Sequence, residues 1–509
     1  MFFLLLVLLV ISLILIQDYV KKRGYRWKKL SEFPGDTPLP LVGNGLDLGF
    51  DADEALLKLI KIWEKHGKQN FRMSVGSEDW LILCEPEDIK ILLNDNFELS
   101  KPLERNVAMN PFFGNSVSTS EGERWKLIRK LMTPSFQFKN LDRTADDFSK
   151  HIHSLFELID SYEGKSPVNI YTYLKPYMLD MLSVNLFGVH MNYLKNREHP
   201  YVKTSGILVK IVTYNFFSYW RNNRYLVRLT PLYTKMQNVI KAIKQNSASI
   251  IAQRRKILNN MIEEAKYNNK NIDLNYHTFI EDNLDGGCLL DRLILSVSPN
   301  GDPMKDEIIN EEITLTLFSG HMTTSMTICN AMYLMSLYPE KQQKVLDEQK
   351  AIFGKEFNRQ ATTQDLNDMK YLEVFIKETI RFIPSIAIIG RQLKNDLKLS
   401  DGRVAPAGTS VNILYNAAAR NPRIYTEPEK FIPERFFEPM HPFAFVPFSA
   451  GPRNCVAFRY SWIVLKATLS NIVRRYEILP GPEPKFAFRM VTESTNGLHL
   501  YYKKRDTCV

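Results

Sequence analysis

Pro303 and Pro339 bracket 35 residues that hold no other proline, and this interval constrains the fold more than any other part of the chain. It permits one helix of up to about 35 residues, near 50 Å long at 1.5 Å per residue. Asp302 stands at a cap position and Pro303 in the first turn, as a helix start prefers. The middle of the interval, "LTLFSGHMTTSMTICNAMYLM", is apolar nearly all round, so this helix must run through a core rather than over one. A chain of 509 residues that is 45% hydrophobic can supply a core of that depth. Further helical patterns follow in "PEKQQKVLDEQKAIFG" and "LEVFIKETIRFI", whereas strand signals are fewer and cluster late, in "DLKLSDGRVAPAGTSVNILY" and "FRMVTESTNGLHLYYKK". In the last of these, Asn496-Gly497 is a tight-turn pair between alternating residues. The expected fold is mainly α with small β-sheets (α+β), in one large domain spanning 45–509.

Ahead of that domain, "FFLLLVLLVISLILI" is apolar without a break, and "KKRGYRWKK" follows it. Fifteen helical residues cover roughly 22 Å, and Met1, Tyr19 and Val20 extend the segment at the interface. A cleaved signal peptide would carry a basic region before the apolar run and small residues after it; here the positive charge comes after. That order holds the basic flank in the cytosol. Residues 1–20 read as an uncleaved transmembrane anchor and 21–44, with Pro34, Pro38 and Pro40, as a basic, proline-stiffened linker.

The net charge of +10 suits an acidic protein partner or an anionic membrane surface. With no Arg-rich tract or nucleic-acid motif, no nucleic-acid partner is expected. Cys84, Cys288, Cys329, Cys455 and Cys508 are few, scattered and odd in number. They form neither a disulfide framework nor a zinc site, and they fit a reducing, cytosol-facing compartment.

Four separated segments carry chemistry. In "FSAGPRNC", Cys455 follows Phe448, Gly451 and Arg453. Gly451 lets the backbone turn tightly and approach a planar ligand, and Arg453 can pair with an acidic group on it. A helix that starts after Cys455 turns its N–H groups toward the sulfur and favours thiolate. Glu378-x-x-Arg381 in "KETIR" and Arg435 in "FIPERF" can form a buried network, although a lone ExxR is more often a solvated pair. In "FSGHMTTS", Gly320 costs a helix about 1 kcal/mol relative to alanine, and Thr323 and Thr324 can bond back to carbonyls four residues earlier. A crowded crossing with another helix explains this segment equally well.

Taken together, these segments resemble the cytochrome P-450 superfamily of haem–thiolate monooxygenases, along essentially the whole chain. "FVPFSAGPRNC" and "FSGHMTT" are most similar to the family 4 branch of animals, particularly divergent insect members. The resemblance includes "GERWKLIRKLMTPSF", where Trp125 and Arg129 match haem-propionate contacts. It implies haem b (iron protoporphyrin IX) with Cys455 as axial ligand, and Trp125, Arg129, Arg391 and Arg453 toward the propionates. It also implies structural roles for Glu378, Arg381 and Arg435, and proton delivery organised at Thr323 beside Gly320. The implied activity inserts one atom of O2 into a lipophilic substrate: a fatty acid, hormone, odorant or xenobiotic. Electrons come from NADPH through a cytochrome reductase, with a small b-type cytochrome as a possible second partner. The implied location is the endoplasmic reticulum membrane, with the catalytic domain cytosolic. Thiolate ligation favours O–O cleavage.

Three positions depart from the pattern. Met322 replaces the acid that precedes the threonine, which predicts leakier turnover with more peroxide; His321 is expected to face another helix rather than relay protons. Ser319 stands where many family 4 members esterify haem through glutamate, so non-covalent haem is expected. Ala457 replaces a glycine, with little effect expected. By the same resemblance the aromatic segment Ile211–Trp220, the loop near Pro111–Ser118 and the turn at Thr495–Gly497 match substrate-contacting regions. Two other classes remain open: a haem–thiolate isomerase or dehydratase acting on peroxides or oximes without external O2, and a haem carrier or gas sensor.

Overall fold

The computed structural model describes residues 2–49, 51, 53–137, 151–218, 228, 231–267, 287–298 and 300–505. Tyr219, Trp220 and Cys508 lie outside the described residues. The fold is mainly α, with a sheet of four strands, one of three and two strand pairs among the described residues. Strands β1 (Phe71–Val75) and β2 (Glu78–Leu83) pair antiparallel around Gly76-Ser77, with Val75 opposite Glu78. Gly76 has φ +61°, a conformation that tight hairpin turns require and that glycine adopts without strain. Strands β3 (Ile388–Gln392) and β4 (Ser410–Leu414) complete the sheet in the order β1-β2-β4-β3. The central pairing of β2 with β4 is parallel, Trp80 opposite Ser410. Parallel neighbours need a crossover, and here the crossover holds most of the helical body.

The principal helices are α1 (Phe2–Arg23), α2 (Pro86–Asn94), α3 (Leu103–Phe113), α4 (Gly122–Met132), α5 (Tyr171–Phe187), α6 (Pro200–Phe217), α7 (Pro231–Tyr267), α8 (Asp306–Leu337), α9 (Pro339–Phe353), α10 (Lys370–Phe382) and α11 (Phe458–Arg475). The long apolar interval is α8, which packs most extensively on α5 and also meets α3, α7, α10 and α11. Burial of Ile313, Leu317, Met322, Met326, Met332 and Met335 around its circumference explains why its sequence shows no polar face.

α8 starts at Asp306 with Lys305 as its cap, three residues later than the Asp302 cap predicts. Residues 297 and 303 form an antiparallel bridge instead, and Ser298 N donates to Asp302 O, which holds the chain in a turn. Asn496-Gly497 does turn, with Gly497 at φ +83°, but it joins no hairpin. Glu493–Ser494 pairs with Phe486–Ala487, whereas His499–Lys504 pairs with Tyr476–Pro480 and Val168–Asn169.

α1 contributes no buried residue and is long and apolar enough to cross a membrane. Its 22 residues span roughly 33 Å. At its end Lys21 Nζ donates to Asp79 Oδ1 at 2.7 Å and Lys22 Nζ to Pro38 O at 3.3 Å. The proline-rich stretch after it packs alongside β1: Phe33 is buried, Arg72 N donates to Pro34 O, and Asn44 N donates to Ser74 O.

Candidate active site

Cys455 lies three residues ahead of α11, in a loop made by two positive-φ residues, Ser449 (φ +60°) and Gly451 (φ +69°). The Cys455 N–H donates to Phe448 O at 2.9 Å, which closes the loop, and the Phe448 ring packs 6.1 Å from Trp462. A Cβ at Gly451 would overlap the Leu93 carbonyl oxygen at the end of α2, so the glycine serves the packing of the loop on the body as well as its turn. Cys455 retains accessible surface although protein surrounds it. Burial pushes its thiol up, while the Ala457 N–H and the charges of Arg129 and Lys101 act in the opposite sense. Because α11 begins only at Phe458, its N-terminus helps the sulfur less than expected, and burial wins. A thiolate here therefore calls for a cation in contact with the sulfur, as an iron centre supplies.

Beside this loop, five cations from separate segments act on one another: Lys101, Arg105 (α3), Arg129 (α4), Arg391 (β3) and Arg453. Burial and then mutual repulsion push Arg453 down to about 9, Arg391 to about 10 and Lys101 well below its ordinary value; burial alone takes Arg105 to about 10. Arg129 reaches Asn454 O at 2.7 Å and Asn454 Oδ1 at 2.6 Å. Arg453 stacks over Trp125 at 4.6 Å and donates to Ser120 O at 3.0 Å. Arg391 and Arg453 each keep one buried Nη2 without an acceptor. None of the five forms an ion pair with a carboxylate among the described residues. A buried cluster of this sign is costly without anions, and a ligand bearing two carboxylates beside a metal fits it. Sequence reasoning found Trp125, Arg129, Arg391 and Arg453 but missed Lys101 and Arg105. Nothing local in "KPLERN" marks those two, since the helix it opens also carries Glu104, Asn106 and Asn110.

The remaining segment that the sequence singles out lies on α8. Along its buried middle, Ser319, Gly320 and Thr323 retain accessible surface while His321, Met322 and Thr324 are buried. Thr323 Oγ1 donates to Ser319 O at 2.8 Å, as expected, and Ser319 Oγ to Leu315 O at 2.7 Å. These back-bonds leave the helix continuous. Gly320 sits at the crossing with α5, where a Cβ would approach the Leu182 methyls at 3.0 Å. The close approach of the two helices is one reason for a glycine there. His321 faces α6: its ring centroid lies 6.0 Å from that of Tyr201, Nδ1 bonds Leu317 O at 2.6 Å, and burial lowers its pKa to about 3. It is an uncharged ring inside the core.

Glu378 and Arg381 on α10 are fully buried and bidentate, at 2.6 and 2.8 Å, and Arg435 joins Glu378 Oε1 at 3.2 Å. Arg381 also donates to the carbonyls of Ala419 and Pro428 and stacks over Tyr425, whose hydroxyl bonds Ala444 O. The triad ties α10 to the chain that leads into the Cys455 loop, a supporting role.

A family model described as Cytochrome P450 matches residues 33–500. Curated relatives include Cytochrome P450 4d2 of Drosophila melanogaster, 31% identical over 98% of each chain. Cytochrome P450 4c3 of the same species is 31% identical over 92% of this chain and 87% of its own. Cytochrome P450 4e5, mitochondrial, of Drosophila mettleri is 31% identical over 87% and 83%.

Proposed function

From the premise that this chain belongs to the cytochrome P450 family, we propose that it is a membrane-anchored monooxygenase of lipophilic molecules, supplied with electrons by a reductase that uses NADPH. Family membership makes it a P450-type oxidoreductase with non-covalent haem b. When bound, that group supplies thiolate-supported O2 activation.

The chain's own residues divide the remaining work. Cys455 would hold the iron. Arg105, Arg129, Arg391, Arg453 and Lys101 would neutralise the two carboxylates, and Trp125 would keep Arg453 flat against them. Beside Ser319, Thr323 offers an accessible hydroxyl in the middle of α8. Its proton now rests on Ser319 O, so a proton leaves it only if that back-bond opens. Residues 1–20 would anchor the protein in the endoplasmic reticulum membrane, residues 21–44 would link the anchor to the body, and residues 45–509 would be the catalytic domain. Substrate would then arrive from the bilayer. The basic surplus of the chain would favour an acidic reductase surface, and a small b-type cytochrome can share it.

The observation that carries the proposal is the buried cation cluster next to the accessible Cys455, in a chain whose long core helix keeps only Ser319, Gly320 and Thr323 accessible between residues 312 and 332. The test is a reduced carbon monoxide difference spectrum, followed by a screen of lipophiles for spin-state shifts and NADPH-dependent products. A band at about 450 nm, as the thiolate-ligated family implies, that Cys455→Ser abolishes supports the assignment. An unaltered band in Cys455→Ser would end it, and the absence of any response to lipophiles would end the substrate class.

A further inference from the structure

The loop between α3 and α4, residues 114–120, runs from α8 to the cation cluster and is held at nearly every residue. Gly114 O accepts from Thr119 Oγ1 at 2.8 Å, and Asn115 O accepts from Arg124 Nε at 2.7 Å. Arg124 in turn pairs with Glu311 of α8 at 2.6 Å. Ser118 takes both Nη atoms of Arg105, at its carbonyl (2.9 Å) and hydroxyl (2.5 Å), and Ser120 O takes Arg453. At the centre, the Val117 N–H donates to both carboxyl oxygens of Glu312, at 2.9 and 3.1 Å. Glu312 is fully buried. One turn and a half further along α8, Phe318 packs 5.0 Å from Phe113, immediately before the accessible stretch at Ser319 and Gly320.

We propose that Glu312 is a positioning residue of the monooxygenase: by holding Val117 it fixes residues 114–120 as a wall of the substrate cavity and couples that wall, through Arg105, to the carboxylate-binding cluster. The assignment rests on the lipophile reading above. Two physical points single out this carboxyl. A buried acid is costly, and an apolar residue in its place would stabilise the core more cheaply. Its gain is geometric, because both oxygens converge on the backbone N–H at the middle of a loop whose first half is tied by Arg124 and whose second half follows two cations belonging to another ligand. Burial pushes Glu312 up to about 8, against the opposing effects of the Val117 N–H and Arg124. Near neutral pH it therefore acts as an uncharged acceptor, which glutamine can imitate.

The test compares full-length wild type, Glu312→Gln, Glu312→Ala and Val117→Pro, each as holoprotein in detergent micelles. Hydrogen exchange is read in the peptide that spans 114–120. Binding of imidazole, a small haem ligand, and of clotrimazole, a bulky one, is read by difference spectra. The expected result is about tenfold faster exchange at Val117 in Glu312→Ala, with α8 peptides unchanged. About a tenfold change in the clotrimazole-to-imidazole Kd ratio is expected in both Glu312→Ala and Val117→Pro, with glutamine close to wild type on every readout. Unchanged exchange and an unchanged ratio in Glu312→Ala overturn the proposal, as does a glutamine variant that behaves like alanine. Should Glu312→Ala fail to fold, Val117→Pro decides, and an unchanged ratio there refutes the latch. Wild-type protein that binds imidazole but no bulky azole refutes the lipophile reading, while the exchange comparison still decides the role of Glu312.

Discussion

Thr323 is the only one of residues 321–324 that retains accessible surface, because His321, Met322 and Thr324 are buried. Burial holds His321 neutral, and Met322 carries no proton, so no second titrating group stands beside the threonine in this stretch. Turnover is therefore expected to release peroxide, and a ratio of product formed to NADPH consumed well below one checks it; near-equality contradicts it. The same residue scale separates two glycines. At Gly451 a side chain must adopt a left-handed φ and displace the Leu93 backbone, so Gly451→Ala should fail to assemble a 450 nm-type site. At Gly320 the obstacle is the end of the Leu182 side chain. That side chain can rotate, and alanine favours a helix by about 1 kcal/mol over glycine, so Gly320→Ala should leave the stability within about 1 kcal/mol of wild type in denaturant titrations.

At the scale of elements, ionic contacts join helices that the core alone already packs. Glu373 of α10 meets Lys466 of α11 at 2.7 Å and Lys377 at 2.8 Å. Burial works to raise its pKa, yet these lysines lower it from 4.5 to about 2. A carboxylate depressed in the folded state stabilises above its unfolded pKa, and the contribution disappears as pH falls from about 4.5 toward 2. Glu373→Gln should therefore flatten the decline of the thermal midpoint over that acid range, and an unchanged slope would contradict the assignment. Elements also show what the sequence could reveal. α8 was legible because prolines bound it and its apolar residues encircle it; its start was not, because the 297–303 bridge is a tertiary choice. The hairpin β1–β2 went unseen although Phe71, Met73 and Val75 alternate before Gly76-Ser77, since nearly complete burial of both strands blurs the period of two. The ExxR and Arg435 residues were readable by spacing. Lys101 and Arg105 were not, since nothing local in "KPLERN" says that the two will meet Arg391 and Arg453 in space.

At the scale of the whole molecule, α1 stands outside the core and meets the body through its last residues, where Lys21 holds Asp79, an acid that also accepts from Ser74 Oγ at 2.8 Å. Deleting residues 2–20 keeps that bond. The shortened protein should fold with the same carbon monoxide difference band and shift from the membrane pellet toward the supernatant on fractionation. Loss of the band would show that the body depends on the helix. The pairing of β2 with β4 reaches further still. Trp80 and its neighbour Ser410 stand about 330 residues apart, so on the ribosome the amino-terminal hairpin is finished long before its parallel neighbour exists. It must wait, one edge unpaired, while the helical insert emerges and folds, and the sheet closes only when about four-fifths of the chain has been made. A nascent chain halted before Ser410 thus carries an open strand edge and invites aggregation, which makes translation rate through the helical insert a determinant of yield.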